Sequence, residues 1–164
     1  MQTEAKDYWR LFKPAACSLK LAGGTREQVF AEIVGNLVKA KCIEEHLRAA
    51  AQRALLERET VASTGIGQGV AIPHVKLAGL EEAVFSLSLV PQGIEWAALD
   101  GQPVALLFTV LRPERAGARY DPQRHLDMMR WISQLGRHPD FRRFALGVGT
   151  KKELVDLLRE MSTP

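Results

Sequence analysis

Apolar positions along this chain switch period from helical to strand-like and back. Between residues 25 and 38, Val29, Phe30, Ile33, Val34, Leu37 and Val38 form one stripe of a 3.6-residue helix, and Thr25-Arg-Glu-Gln28 ahead of them is a capping-box pattern. An alanine-rich stretch from about Glu44 to Glu59 predicts a second helix. Three apolar runs follow, GVAIP (69–73), AVFSLSLV (83–90) and PVALLFTVL (103–111), each bounded by glycine, proline or charge, as suits strands covered on both faces. After Pro113 the helical period returns. Asp121-Pro122 supplies an N-cap with proline at the first helical position, and Leu126, Met129, Ile132 and Leu135 carry an apolar face as far as Gly136. A short helix is predicted from Pro139, and a last one opens at a second capping box, Thr150-Lys-Lys-Glu153. ACSLKL (16–21), ahead of Gly23-Gly24, reads as a first strand. Helices on either side of a central group of strands predict an α/β layered domain with a mixed sheet.

Length and composition narrow this further. A chain of 164 residues with 46% hydrophobic content can bury one core, so a single domain over 16–164 is expected, preceded by an arm over 1–15 whose Tyr8, Trp9, Leu11 and Phe12 can dock on it or on a second copy, leaving a homodimer open. No apolar run approaches the roughly 18 residues of a membrane helix, and the opening MQTEAKDYWRLFK lacks the apolar region of a secretory signal, which predicts a cytoplasmic protein that does not enter the membrane. Cys17 and Cys42 have neither metal nor redox spacing and read as buried thiols. The net charge of +3 gives no case for nucleic acid, although eight arginines against four acids between Arg112 and Arg143 make that segment basic. It reads as a solvated face or as a docking surface for an acidic partner or a phosphate.

Candidate chemistry concentrates in STGIGQGVAIPHVK (63–76). Pro73 cannot donate to a strand ladder, so the strand Val70-Ala71-Ile72 is expected to end there with His74 at its carboxyl mouth, where α/β sheets place ligands. Gly65, Gly67 and Gly69 allow positive φ and close approach of an anion, with the hydroxyls of Ser63 and Thr64 beside them. His125, a few positions past the Asp121 cap, falls in the first turns of its helix, where the dipole favours an anion and lowers an imidazole's pKa. Arg58, five residues before Ser63, carries a planar fork suited to phosphoryl oxygens. For each of these a structural role competes with the chemical one: a core histidine, a carbonyl-capping arginine, a turn glycine. His46 and His138 read as solvated, as do Glu57, Glu59, Glu81 and Glu82. No HExxH, HxH or paired-cysteine spacing predicts a metal, and no GxSxG a serine nucleophile.

RETVASTGIGQGVAIPHVK (58–76), GIEWAALDGQPVALLFTVL (93–111) and RHLDMMRWISQL (124–135) occur in that order, and together they resemble the enzyme IIA domains of the bacterial phosphotransferase system, in the fructose, mannitol and nitrogen-regulatory class, from about Ser18 to Met161. The resemblance implies a three-layer α/β/α domain with a small mixed sheet. It implies that His74 accepts a phosphoryl group from the phosphohistidine of HPr or its nitrogen-branch counterpart. His125 and Arg58 would position and neutralise that group, with Ser63, Thr64 and Gly65 forming the motif loop. No cofactor or metal is implied. The phosphoryl group then passes to a IIB domain or serves as a signal read by a regulatory target. A chain without a fused IIB or IIC domain favours the signalling reading, with sugar uptake as the alternative.

Overall fold

The structure, a computed structural model, describes residues 5–162; the first four residues of the expected arm and the last two of the chain lie outside the described residues. Helices α1 (Arg26–Lys39) and α2 (Arg48–Val61) come first. Five strands follow, β1 (Gly65–Gly67), β2 (Val70–Ala71), β3 (His74–Lys76), β4 (Val84–Ile94) and β5 (Val104–Arg112). Helices α3 (Pro122–Arg137), α4 (Pro139–Ala145) and α5 (Lys151–Met161) close the domain. The caps form as their sequences predict: Thr25 accepts from the Gln28 N–H at 3.1 Å, Asp121 from Gln123 at 3.0 Å and Thr150 from Glu153 at 3.0 Å.

Strand β5 is the axis of a mixed sheet. It pairs antiparallel with β4 on one side and parallel with both β2 and β3 on the other, and β1 folds back on β2. Val70 is opposite Leu106 and His74 opposite Val110, the same offset, so β2 and β3 are two pieces of one lane interrupted at Ile72-Pro73. Side chains alternate across the sheet. Phe85, Leu87 and Leu89 of β4 with Leu106, Phe108 and Val110 of β5 face α3, α4 and α5, whereas Leu107 and Leu111 face α1 and α2. The result is a three-layer α/β/α domain. No helix among the described residues is long and apolar enough to cross a membrane.

One sequence expectation changes near the start of the chain. ACSLKL does not form a strand. It makes a single parallel bridge from Ser18 to Ser88, with Leu21 donating to the Leu89 carbonyl at 2.9 Å, because a 3-10 turn over Pro14–Ala16 turns the chain just before it. The residues before it are built into the domain. Tyr8 and Phe12 are buried, and the Phe12 ring meets Phe85, Phe108 and Trp131 at centroid distances of 5.5–6.1 Å. Burial of such a ring stabilises by about 1.5–3 kcal/mol, which contributes to holding this segment on the domain.

Candidate functional site

Proline shapes the backbone at His74. Pro73 has no N–H for the ladder, so β2 stops at Ala71, yet its carbonyl still accepts from Val110 at 2.9 Å and keeps the lane in register. The strand was expected to end here; instead it resumes at His74. Opposite His74 stands Val110, and opposite Val110 stands Phe85, so the three form one row on the face toward α3. Nδ1 of His74 lies 2.8 Å from the Ile72 carbonyl oxygen. A carbonyl only accepts, so Nδ1 carries the proton and Nε2 presents a lone pair. The ring is half-buried.

His125 reaches the same row from α3. Its ring lies 6.2 Å from Phe85 and meets Tyr120 edge-on at 5.3 Å. Burial pushes its pKa down to about 4, with smaller contributions from the charge of Arg112 and from His74. It is therefore neutral at neutral pH, able to donate one N–H without bringing charge. Arg112, last residue of β5, donates from Nη1 to the Tyr120 hydroxyl at 3.4 Å. Beyond His125 opens a cavity of about 300 Å³ whose walls include Leu11, Glu82, Tyr120 and Arg124.

The glycine-rich stretch differs from an open phosphate cradle. Residues 65–71 are a tight β-hairpin, with Gly67 at φ +97°, Gly69 at φ +82° and Gln68 between them donating to Asp100 at 2.8 Å. Gly65 does not use a positive φ. Its lack of a side chain matters because a Cβ there would lie 2.7 Å from that of Ala98. Ser63 donates to the Trp96 carbonyl at 2.9 Å and accepts from the Gly65 N–H at 3.1 Å. Thr64 is buried: its hydroxyl donates to Glu59 and accepts from the Trp96 indole at 3.3 Å, and its N–H donates to Glu59 at 3.1 Å. Glu59, expected to be solvated, is 3% exposed and anchors this loop. These hydroxyls are thus committed to the hairpin's own frame. Arg58 donates to the Ala62 carbonyl at 2.7 Å, at the C-terminus of α2.

The remaining candidates have local partners. His46 is exposed beside Glu44 at 3.2 Å. His138, rather than being merely solvated, caps α4 by accepting from Asp140 at 3.2 Å. Cys17 is buried, which pushes its thiol up to about 11, while Cys42 is only half-buried. In the basic segment Arg119, Arg130 and Arg143 pair with Glu81, Asp127 and Asp140. Among the described residues no cluster of three His, Cys, Asp or Glu side chains can hold a metal ion.

A His74 with a free Nε2, in one row with a buried neutral His125, suits transfer of a phosphoryl group through nitrogen. Comparison with known proteins decides the family: the profile described as "Phosphoenolpyruvate-dependent sugar phosphotransferase system, EIIA 2" matches residues 10–161. The chain belongs to this EIIA 2 family. It is 32% identical over 133 residues to the "Nitrogen regulatory protein" of Pseudomonas aeruginosa, covering 81% of this chain and 82% of that one. It is 30% identical over 142 residues to the "PTS system fructose-specific EIIABC component" of Bacillus subtilis, covering 87% of this chain but only 21% of that much longer protein. The crystal structure of nitrogen regulatory protein IIA-Ntr from Neisseria meningitidis superposes with a TM-score of 0.80 at 27% identity, over 92% of this chain and 97% of that one.

Within this EIIA 2 domain, sequence reasoning singled out His74 and His125 but not Arg112 and Tyr120, which bond each other beside His125. Arg112 figured only as one of eight arginines. The signal for both lies in strand alternation, which puts Arg112 on the same face as Val110, and in the position of Tyr120 just before the Asp121 cap.

Proposed function

We propose that this protein is a phosphohistidine carrier of the nitrogen-regulatory type, accepting a phosphoryl group from an HPr-type protein on Nε2 of His74. The carrying observation is the bond from Nδ1 to the Ile72 carbonyl, which leaves Nε2 as the ring's nucleophile. In the transfer, Nε2 forms its bond to phosphorus as the donor's P–N bond breaks, and that bonding pair stays on the donor nitrogen. Nδ1 keeps its proton throughout, so no proton need cross between the proteins. The phosphorylated ring gains positive character, and the Ile72 carbonyl stabilises it. Rate comes from alignment and from donors on the equatorial oxygens, with the neutral His125 as one such donor and Arg58 as a second. Ser63, Thr64 and Gly65 act through the shape of the hairpin that leads into His74.

Similarity to the nitrogen regulatory proteins, which spans most of both chains, supports a signalling role in the cytoplasm, with phosphorylation changing which regulatory target is bound. The relation to a fructose-specific component supports a second reading, transfer onward to a IIB domain in sugar uptake. Incubation with a phosphorylated HPr-type carrier tests the common step: wild type is labelled and His74→Ala is not. Full labelling of His74→Ala refutes the assignment. Arg58→Ala and His125→Ala slow labelling without abolishing it. A pull-down with each phosphorylation state separates the two roles, since a IIB partner that takes the phosphoryl group marks transport and state-dependent capture of a regulator marks signalling.

A further inference from the structure

A phosphoryl group on His74 keeps its negative charge on three oxygens throughout transfer, and hydrogen bonds from neutral groups do not cancel it. The neighbouring imidazole of His125 is held neutral. Arg58, the donor already placed at the group, makes one bond of its own, to the Ala62 carbonyl at the end of α2. Arg112 is the cation that the sheet brings toward the histidine pair. It stands two residues along β5 from Val110, the residue opposite His74, so its side chain leaves the sheet on the His74 side. Its Nη1 bonds the Tyr120 hydroxyl, and Tyr120, itself buried, packs edge-on against His125. Of the five N–H donors of the guanidinium, this is the one bond it makes among the described residues, and none of the ion pairs described there involves it. An arginine steadied by one end, half-buried and otherwise uncommitted, is arranged to receive an anion.

We propose that Arg112, steadied by Tyr120, supplies a further guanidinium, besides that of Arg58, to neutralise the phosphoryl group carried on His74. This rests on the reading of His74 as the acceptor and adds a residue to it. In the transfer to Nε2, Arg112 forms no covalent bond and moves no proton. Its N–H groups meet the equatorial oxygens as the new P–N bond forms, which a lysine would do with a single point of contact.

The test uses the full chain and two phosphoryl donors, potassium phosphoramidate and a phosphorylated HPr-type carrier, with Arg112→Gln, Arg112→Lys and Tyr120→Phe compared at matched folding by circular dichroism. Arg112→Gln slows labelling of His74 at least tenfold with both donors, Arg112→Lys restores part of the rate, and Tyr120→Phe falls between wild type and Arg112→Gln. A separate readout needs no donor. The charged and titratable groups around His125 are Arg112, His74, Tyr120, Glu82, Arg119, Asp121 and Arg124, and removing the Arg112 charge raises the His125 titration midpoint seen by ring-proton NMR. Wild-type labelling of Arg112→Gln by phosphoramidate overturns the proposal. So does a loss confined to the protein donor, which marks a docking contact instead. If Arg112→Gln does not fold, Arg112→Lys decides, several-fold slowing supporting the role and an unchanged rate removing it. Wild type that neither donor labels at His74 defeats the acceptor assignment itself, an outcome distinct from all of these.

Discussion

The backbone carbonyl of Ile72 and the ring of His74, two residues apart, hold each other at 2.8 Å across Pro73. Because the proline removes a ladder donor and fixes its own φ, the chain turns enough there for a side chain to reach back to the preceding strand segment. A histidine in an uninterrupted strand would point away from its own neighbour's carbonyl. The imidazole's tautomer is therefore set by the chain itself.

A regiochemical outcome is expected from this bond. In protein phosphorylated by an HPr-type donor, the phosphoryl group is on Nε2 of His74, and ¹⁵N–³¹P coupling identifies that nitrogen. Phosphate found on Nδ1 would break the link between this hydrogen bond and the chemistry.

Acid weakens the fold through His125. Its folded pKa of about 4 lies below the 6.5 of an unperturbed imidazole, so between those values the unfolded chain binds a proton that the native state refuses. Stability is fully kept above pH 6.5, declines as pH falls toward 4, and gains no further penalty from this residue below that. The loss is at most about 3.5 kcal/mol at roughly 1.4 kcal/mol per unit. Urea unfolding at a series of pH values should show His125→Gln losing that much less than wild type over this window; parallel curves would mean that His125 titrates normally.

Thr64 stabilises the loop that precedes the site. Thr64→Val removes a hydroxyl that serves Glu59 and the Trp96 indole together, leaving a buried carboxylate short of a donor, at a cost of about 1–3 kcal/mol in denaturant unfolding. Transfer to His74 then falls in proportion to the unfolded fraction. A large loss of rate in a fully stable Thr64→Val protein would instead return the hydroxyl to the phosphate.

Gly65 meets Ala98 at a distance that admits no Cβ. Gly65→Ala destabilises by about 1–3 kcal/mol through overpacking, and Ala98→Gly in the same chain recovers part of it. Additive effects in that double-mutant cycle would show that the two positions do not touch.

Much of the architecture was legible in the chain because local signals agreed with the global layout. Thr25, Asp121 and Thr150 start their helices where their hydroxyl or carboxylate oxygens say they should, and the three apolar runs became the long or central strands. ACSLKL misled because apolar content alone does not say whether a neighbour offers a ladder, and the turn at Pro14–Ala16 leaves it one bridge. His74 and His125 were legible through proline and the helix start. Arg112 was hidden by its surroundings in sequence, since its role arises from facing α3 across a sheet whose register no single segment reveals. Glu59 looked like any helical glutamate, and only the folded loop shows that it is the buried acceptor for Thr64.

The Phe12 ring packs at a tilt against Phe85 and Phe85 against His125, and Leu11 lines the cavity beside that histidine. Phe12 is thus two ring contacts from His125, and trimming the chain at residue 15 would take Leu11 out of the wall beside that imidazole. A change of ring at residue 12 therefore reaches His125 through Phe85, from a part of the chain far from that histidine in sequence.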